Sequence, residues 1–185
     1  MNTTLMFSTG VDETGTDPKF FAALDAEFGG FVIDLAANAS NRKVENYFGP
    51  DHPAVSRRDC LALDWPTHGP CWLNPPYSEP ELPCRRRRCK KKRCPLRGFH
   101  LEAYRPGCID FVRKAAEQRL RGVTTVALLA ARTDNEWFHT FCWSAEHHSW
   151  REGIEGRFLA GRLKFEGHAN SAPFPSMLVI FRGVR

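Results

Sequence analysis

Short apolar runs alternate with polar, turn-rich stretches along the chain, and each run predicts an element. Phe20, Phe21, Leu24 and Phe28 recur at helical spacing. Asp17 suits the N-cap, Pro18 suits the first helical position and Gly29-Gly30 stops the pattern, which predicts a helix over 17–28. Phe31 to Leu35 reads as a buried strand that ends near an acid, Asp34. Residues 38–58 are polar and punctuated, with only a weak element around Val44 to Phe48. Cys71-Trp72-Leu73 reads as a second buried strand, entered from a turn at Pro66, Gly69 and Pro70 and leaving into Asn74-Pro75-Pro76-Tyr77. Ile109, Val112, Ala116 and Leu120 mark the apolar face of a helix over 109–121, closed by Gly122.

Val123 to Ala131 is the clearest buried strand, and Asp134 is expected to cap a third helix carrying Trp137, Phe138 and Phe141. Gly156 to Phe158, Arg162 to Phe165 and Ser176 to Phe181 read as strands of an antiparallel closing ribbon. Helix–strand–loop–strand–helix–strand–helix is an α/β pattern with a mostly parallel sheet. Ligands in such sheets sit beyond the carboxyl ends of the strands, and Asp34 and Asn74 both fall at such ends.

Composition bounds this picture. A length of 185 residues with 42% hydrophobic positions supports one domain over residues 1–185 with a real core, and 25% charged residues argues against wholesale disorder. The run from Val123 to Ala131 falls far short of the ~20 residues that a membrane helix needs. The start, MNTTLMFSTGVDE, has neither a basic segment nor an apolar stretch, so no signal peptide and no membrane association are expected.

Charge changes the picture more. The net charge is +5, yet the segment from Cys84 to Arg97 alone holds nine cations and no acid, leaving the remainder at −4. Those cations are Arg85, Arg86, Arg87, Arg88, Lys90, Lys91, Lys92, Arg93 and Arg97, all candidates for contacts with nucleic-acid phosphates. Phosphate contacts would position the protein without specifying a sequence. The competing reading is a solvated basic loop. Cysteines cluster in the same place: Cys84-x4-Cys89-x4-Cys94-x5-His100 offers four soft ligands, with Cys108 as the alternative to His100. This donor set suits a structural zinc, which would supply folding energy to a segment that has almost nothing to build a core from. Residues 79–107 therefore read as a small zinc-binding, DNA-contacting insertion. Cys60, Cys71 and Cys142 read as buried thiols, Trp137, Trp143 and Trp150 as packing, and His147-His148 as surface.

Asn74-Pro75-Pro76-Tyr77 is the most informative tetrapeptide. The exocyclic amine of adenine is a poor nucleophile because its lone pair is delocalised into the ring. An Asn carbonyl and a backbone carbonyl can each accept one of its N–H bonds and draw the nitrogen toward a tetrahedral geometry. Two prolines stiffen the turn and remove two donors. An aromatic ring at Tyr77 can stack on a base turned out of a duplex.

With this motif the chain resembles the phage-type DNA N6-adenine methyltransferases (Dam-like), small S-adenosylmethionine enzymes with a Rossmann-like class I fold. The resemblance covers Thr16-Asp17-Pro18, Phe31 to Ala37 (FVIDLAA), Asp59 with Leu61 and Asp64-Trp65, and Asn74 to Tyr77. It continues over Leu128 to Trp137 (LLAARTDNEW), Gly161 to Phe165 (GRLKF) and Ala172 to Phe181 (APFPSMLVIF). It implies that Asn74, Pro75, Pro76 and Tyr77 hold the target adenine. It implies cofactor contacts from Asp34, Leu35 and Ala36, from Thr16 and Pro18 at the methionine end, and from Asp59 or its rival Asp64 near the cofactor's adenine. The chain departs from the wider class in having no Gly-x-Gly loop after the first strand, only Asp34-Leu35-Ala36-Ala37.

The implied reaction is methyl transfer from S-adenosylmethionine to an adenine of double-stranded DNA, with no obligate protein partner. The implied setting is the cytoplasm of a bacterium or phage-infected host. The alternatives are an RNA adenine or protein glutamine methyltransferase of the same fold, or a non-catalytic zinc-containing DNA-binding protein.

Overall fold

A computed structural model describes residues 15–85, 89–166 and 170–184; the side chains of Leu96 and Arg97 also lie outside the description. Helix α1 (Pro18–Phe28) begins where Asp17 accepts the Phe20 N–H at 2.9 Å and ends at Gly29 in the left-handed region, φ 79°. Strand β1 (Ile33–Asp34) is shorter than the apolar run that predicts it. Then come β2 (Cys71–Leu73), the short helix α2 (Arg93–Arg97), α3 (Cys108–Arg119) and β3 (Thr125–Ala130). The chain finishes with β4 (Trp143–Ser144), β5 (Ser149–Trp150), β6 (Ile154–Phe158) and β7 (Ser176–Phe181).

Five strands form one sheet in the order β1-β2-β3-β7-β6. β1, β2 and β3 run parallel, with Asp34 opposite Trp72 and Leu73 opposite Ala127. β7 and β6 join antiparallel, with Leu128 opposite Leu178 and Gly156 opposite Val179. The mixed α/β architecture with an antiparallel C-terminal ribbon is therefore as expected.

The continuous apolar run of β3 is explained by burial on both faces. Val126 and Leu128 pack with Trp72, Ile180, Leu24 and Phe31 on the side covered by α1. Ala127 and Leu129 pack with Leu73, Val179, Val112 and Ala115 on the side covered by α3. Alternate residues feed opposite cores, so a polar residue on either face would leave a buried group to satisfy. Phe21 of α1 meets the Trp72 ring edge-on at 5.4 Å, and Phe31 meets it at a tilt at 5.5 Å, which together fix α1 against β2.

Three expectations are corrected. The third helix is short and Asp134 does not cap it: residues 136–142 are helical and carry Trp137, Phe138 and Phe141, but only 136–137 are α and the rest is a single π-type turn at Phe138–Cys142, with no side-chain cap. Arg151 accounts for this turn, because its side chain donates twice to the His139 carbonyl and its N–H donates to Cys142, diverting carbonyls from a regular helix. Arg162 to Phe165 is not a strand: its carbonyls and side chains bond locally, Ala172 N–H to Leu163 O at 2.7 Å, and only Glu166 bridges to Gly15. The buried face of α3 is Cys108, Phe111, Val112, Ala115 and Gln118, while Leu120 lies past the helix at 68% exposure. Gln118 is drawn inward because it accepts the Trp65 N–H at 2.9 Å and donates to Asp64 at 3.2 Å. The β4–β5 hairpin, pairing Trp143 with Trp150, was not expected at all. No helix among the described residues is long and apolar enough to cross a membrane.

Candidate active site

The carboxyl ends of β1 and β2 open into a cleft of about 1010 Å³. Asp34, Leu35 and Ala36 enter it from β1, Asn74 and Pro76 from β2, Thr16 from the segment before α1, and Asp59 from the connection between the strands. Seven positions spread over sixty residues of sequence thus share one surface. Parallel neighbours end on the same side of a sheet, which is why these strand ends converge.

Asn74 is held from two sides. Its Nδ2 donates to Thr16 Oγ1 at 3.3 Å, and its Oδ1 accepts from the Tyr77 hydroxyl at 2.7 Å. The Tyr77 ring packs against Phe165 and Phe174, with centroids 6.0 and 5.0 Å apart. Tyr77 therefore stands behind the cleft lining, whereas Asn74 and Pro76, on either side of Pro75, face it. Burial, with a smaller push from Cys108, raises the Tyr77 hydroxyl well above its ordinary pKa and keeps it a neutral donor.

Asp34 is the buried charge of the site. It accepts the Lys43 N–H at 3.1 Å and the Ala36 N–H at 3.4 Å. Burial outweighs these bonds and lifts its pKa from 3.8 to about 6. The floor beside it comes from the stretch read as weakly structured. Tyr47 bridges to Asp34 in parallel sense, the Phe48 N–H donates to Asp34 O at 2.8 Å, and the Ala37 N–H donates to Phe48 O at 3.1 Å. Gly49 crosses the Ala37 carbonyl so closely that an added Cβ would sit 1.7 Å from its oxygen. Gly49 is thus required for the chain to pack its own backbone against Ala37 at the cleft floor.

Other expected site residues lie elsewhere. Pro18 is exposed at the start of α1. Asp64 is outside the cleft, paired with Arg121 at 2.7 Å, so of the two rivals only Asp59 faces the cleft. Not singled out in the sequence are Lys43, Arg58, Arg105, Arg113 and Lys114, which line the cleft together with the acids Asp34, Asp59, Asp110 and Glu117. Isolated cations in polar stretches carry no signal until the fold gathers them.

In the insertion, Cys84, Cys89, Cys94 and His100 bring one ligand atom each to within 4.8 Å of one another. Cys108 is not in that group. It is buried at the start of α3, where burial pushes its thiol up to about 12. Arg85, Lys90 and Lys92 are exposed; Lys91 bonds the Leu82 carbonyl and Arg93 pairs with Glu81 at 3.3 Å. Arg86, Arg87, Arg88 and the Arg97 side chain lie outside the described residues.

A mixed α/β sheet with an asparagine–proline loop at the mouth of a strand-end cleft defines an enzyme-like class in which a small ligand and a planar group can meet. Family comparison makes this specific: the chain matches the model for DNA N-6-adenine-methyltransferase (Dam) over residues 8–185 and belongs to that family. It is similar to the DNA N-6-adenine-methyltransferase of Escherichia phage T1, 26% identical over 161 residues that make up 83% of this chain and 53% of that protein. The chain thus spans about half the length of that curated relative.

Proposed function

We propose that this protein transfers a methyl group from S-adenosylmethionine to the N6 amine of an adenine turned out of double-stranded DNA, on a Rossmann-like class I framework. The observation that carries the reading is the convergence of Asp34 and Asn74 at the ends of adjacent parallel strands on one cleft. At about 1010 Å³ the cleft is at the upper end for small-molecule sites, with room for a nucleoside cofactor and a base together.

The residues present suit the cofactor. Asp34 offers a carboxylate to its positive charge, and Thr16, Leu35, Ala36, Ala37, Gly49 and Asp59 line the adjoining walls. Bound there, S-adenosylmethionine supplies an electrophilic methyl group on a sulfonium. Asn74 Oδ1 has two lone pairs; one is taken by Tyr77, and the second accepts an N–H of the target amine. The Pro75 carbonyl accepts the other N–H. The lone pair of the amine is then directed at the methyl group, so the chief contribution of the chain is orientation. The methylated amine would give its extra proton to water, so no strong general base is needed. Tyr77 acts here as a positioning residue, a role its hydroxyl bond supports better than base stacking.

The test is incubation with unmethylated duplex DNA and radiolabelled S-adenosylmethionine, followed by digestion to nucleosides. Label in N6-methyldeoxyadenosine is expected, and Asn74→Ala is expected to abolish it while the circular dichroism spectrum is unchanged. Label only in RNA or protein substrates overturns the substrate assignment, and full activity in Asn74→Ala overturns the mechanism.

A further inference from the structure

The segment between the Asn-Pro-Pro-Tyr loop and α3 carries chemistry that methyl transfer does not use. Cys94 is its hub: its sulphur lies 3.4 Å from that of Cys84 and 3.5 Å from that of Cys89. A disulfide requires about 2.05 Å and would satisfy only two of the three sulphurs. Zinc–sulphur bonds of about 2.3 Å at tetrahedral angles place sulphurs about 3.8 Å apart, close to what is seen, and an imidazole completes the four. Three thiolates and an imidazole, with no position left for substrate, is the donor set of a closed structural site.

Burial argues the same way independently. Cys94 is 4% exposed although α2 is only five residues long and follows Lys90 to Lys92. Among the described residues nearby, two large apolar side chains are exposed, Leu82 at 69% and Phe99 at 57%. A segment that exposes such hydrophobes and crowds like charges has little apolar burial among its described residues, and a bound metal would supply folding energy in its place.

We propose that Cys84, Cys89, Cys94 and His100 bind one zinc ion, and that this ion braces the basic segment against the cleft wall as a clamp on duplex phosphates. The clamp rests on the DNA reading above; the metal site does not. The mechanical link is short. The Cys84 N–H donates to Leu101 O at 2.8 Å, and Glu81 and Arg105 exchange both backbone bonds at 2.9 Å. Arg93 of α2 pairs with the Glu81 side chain of the same ladder. Tyr104, Arg105 and Pro106, at and beside the bridged position on the returning segment, line the cleft. Arg85, Lys90 and Lys92 project from the braced end and are exposed.

The experiment starts from the full chain purified without chelator. One zinc per chain is expected by elemental analysis, and exchange with cobalt(II) should give thiolate-to-cobalt absorption and tetrahedral visible bands. Cys89→Ser should lose the metal and His100→Cys should keep it. Absence of stoichiometric zinc together with absence of cobalt–thiolate bands overturns the metal site. For the clamp, duplex binding is measured against salt in the Lys90→Ala/Lys92→Ala variant, whose ligands are intact. The slope of log K against log salt should shrink by about 0.9 for each lysine on a phosphate, while S-adenosylmethionine binding by calorimetry is unchanged. An unchanged slope overturns the clamp. Failure of methyl transfer with zinc, duplex binding and salt slope all as expected would count against the enzymatic reading and leave this one standing.

Discussion

At the scale of single residues, the site is governed by what surrounds two side chains. Tyr77 donates to Asn74 at 2.7 Å from within an aromatic layer. Tyr77→Phe keeps the packing and removes this bond, which leaves the amide oriented from the Thr16 side without its Tyr77 restraint. Loss of one such bond is worth about 1 kcal/mol, so kcat should fall roughly five- to tenfold, with KM for S-adenosylmethionine nearly unchanged in steady-state assays. Asp34 is the second case. Its pKa of about 6 in the fold exceeds the 3.8 of an ordinary Asp. Between those values the folded chain binds more protons than the unfolded one, so the contribution of Asp34 to stability is lost as pH rises from about 4 to about 6. The loss amounts to roughly 3 kcal/mol. Asp34→Asn should therefore be relatively more stable at pH 7 than at pH 4 when both proteins are unfolded in urea, while cofactor binding weakens. An equal difference at both pH values would refute the assignment.

At the scale of elements, α3 shows how a tertiary contact overrides periodicity. Helical spacing pointed to Leu120 as core, yet Leu120 is exposed and Gln118 is buried. Replacing Leu120 by Ser should change stability by less than ~0.5 kcal/mol. Replacing Gln118 by Leu should cost about 1–3 kcal/mol, because the buried Trp65 N–H loses its acceptor. Denaturant midpoints of the two variants check this directly. Long, strongly patterned elements were legible: α1 with its Asp17 cap, β2 and β3 lie where their residues indicate. The π-type turn and the β4–β5 hairpin were not, because their geometry comes from Arg151 and from Trp143 meeting Trp150. Such contacts leave no local periodicity.

At the scale of the whole molecule, the cleft draws its lining from the segment before α1, from the ends of β1 and β2, from the β1–β2 connection and from the returning segment of the insertion. A ligand that bridges these parts binds the folded chain and not the unfolded one. S-adenosylmethionine at 100 times its Kd should add about 2.7 kcal/mol of stability, visible as a rise in melting temperature that Asp34→Asn reduces. The sequence alone determined the α/β class, the Asn-Pro-Pro-Tyr loop, the family resemblance and the spacing of the Cys84, Cys89, Cys94 and His100 cluster, because each is written in neighbouring residues or in a fixed period. Tertiary structure alone decided that Thr16 and Tyr77 hold Asn74, that Asp59 rather than Asp64 faces the cleft, and that Lys43 and Arg105 line it. Those are meetings between distant segments, set by sheet order and close packing, and no local pattern of residues encodes them.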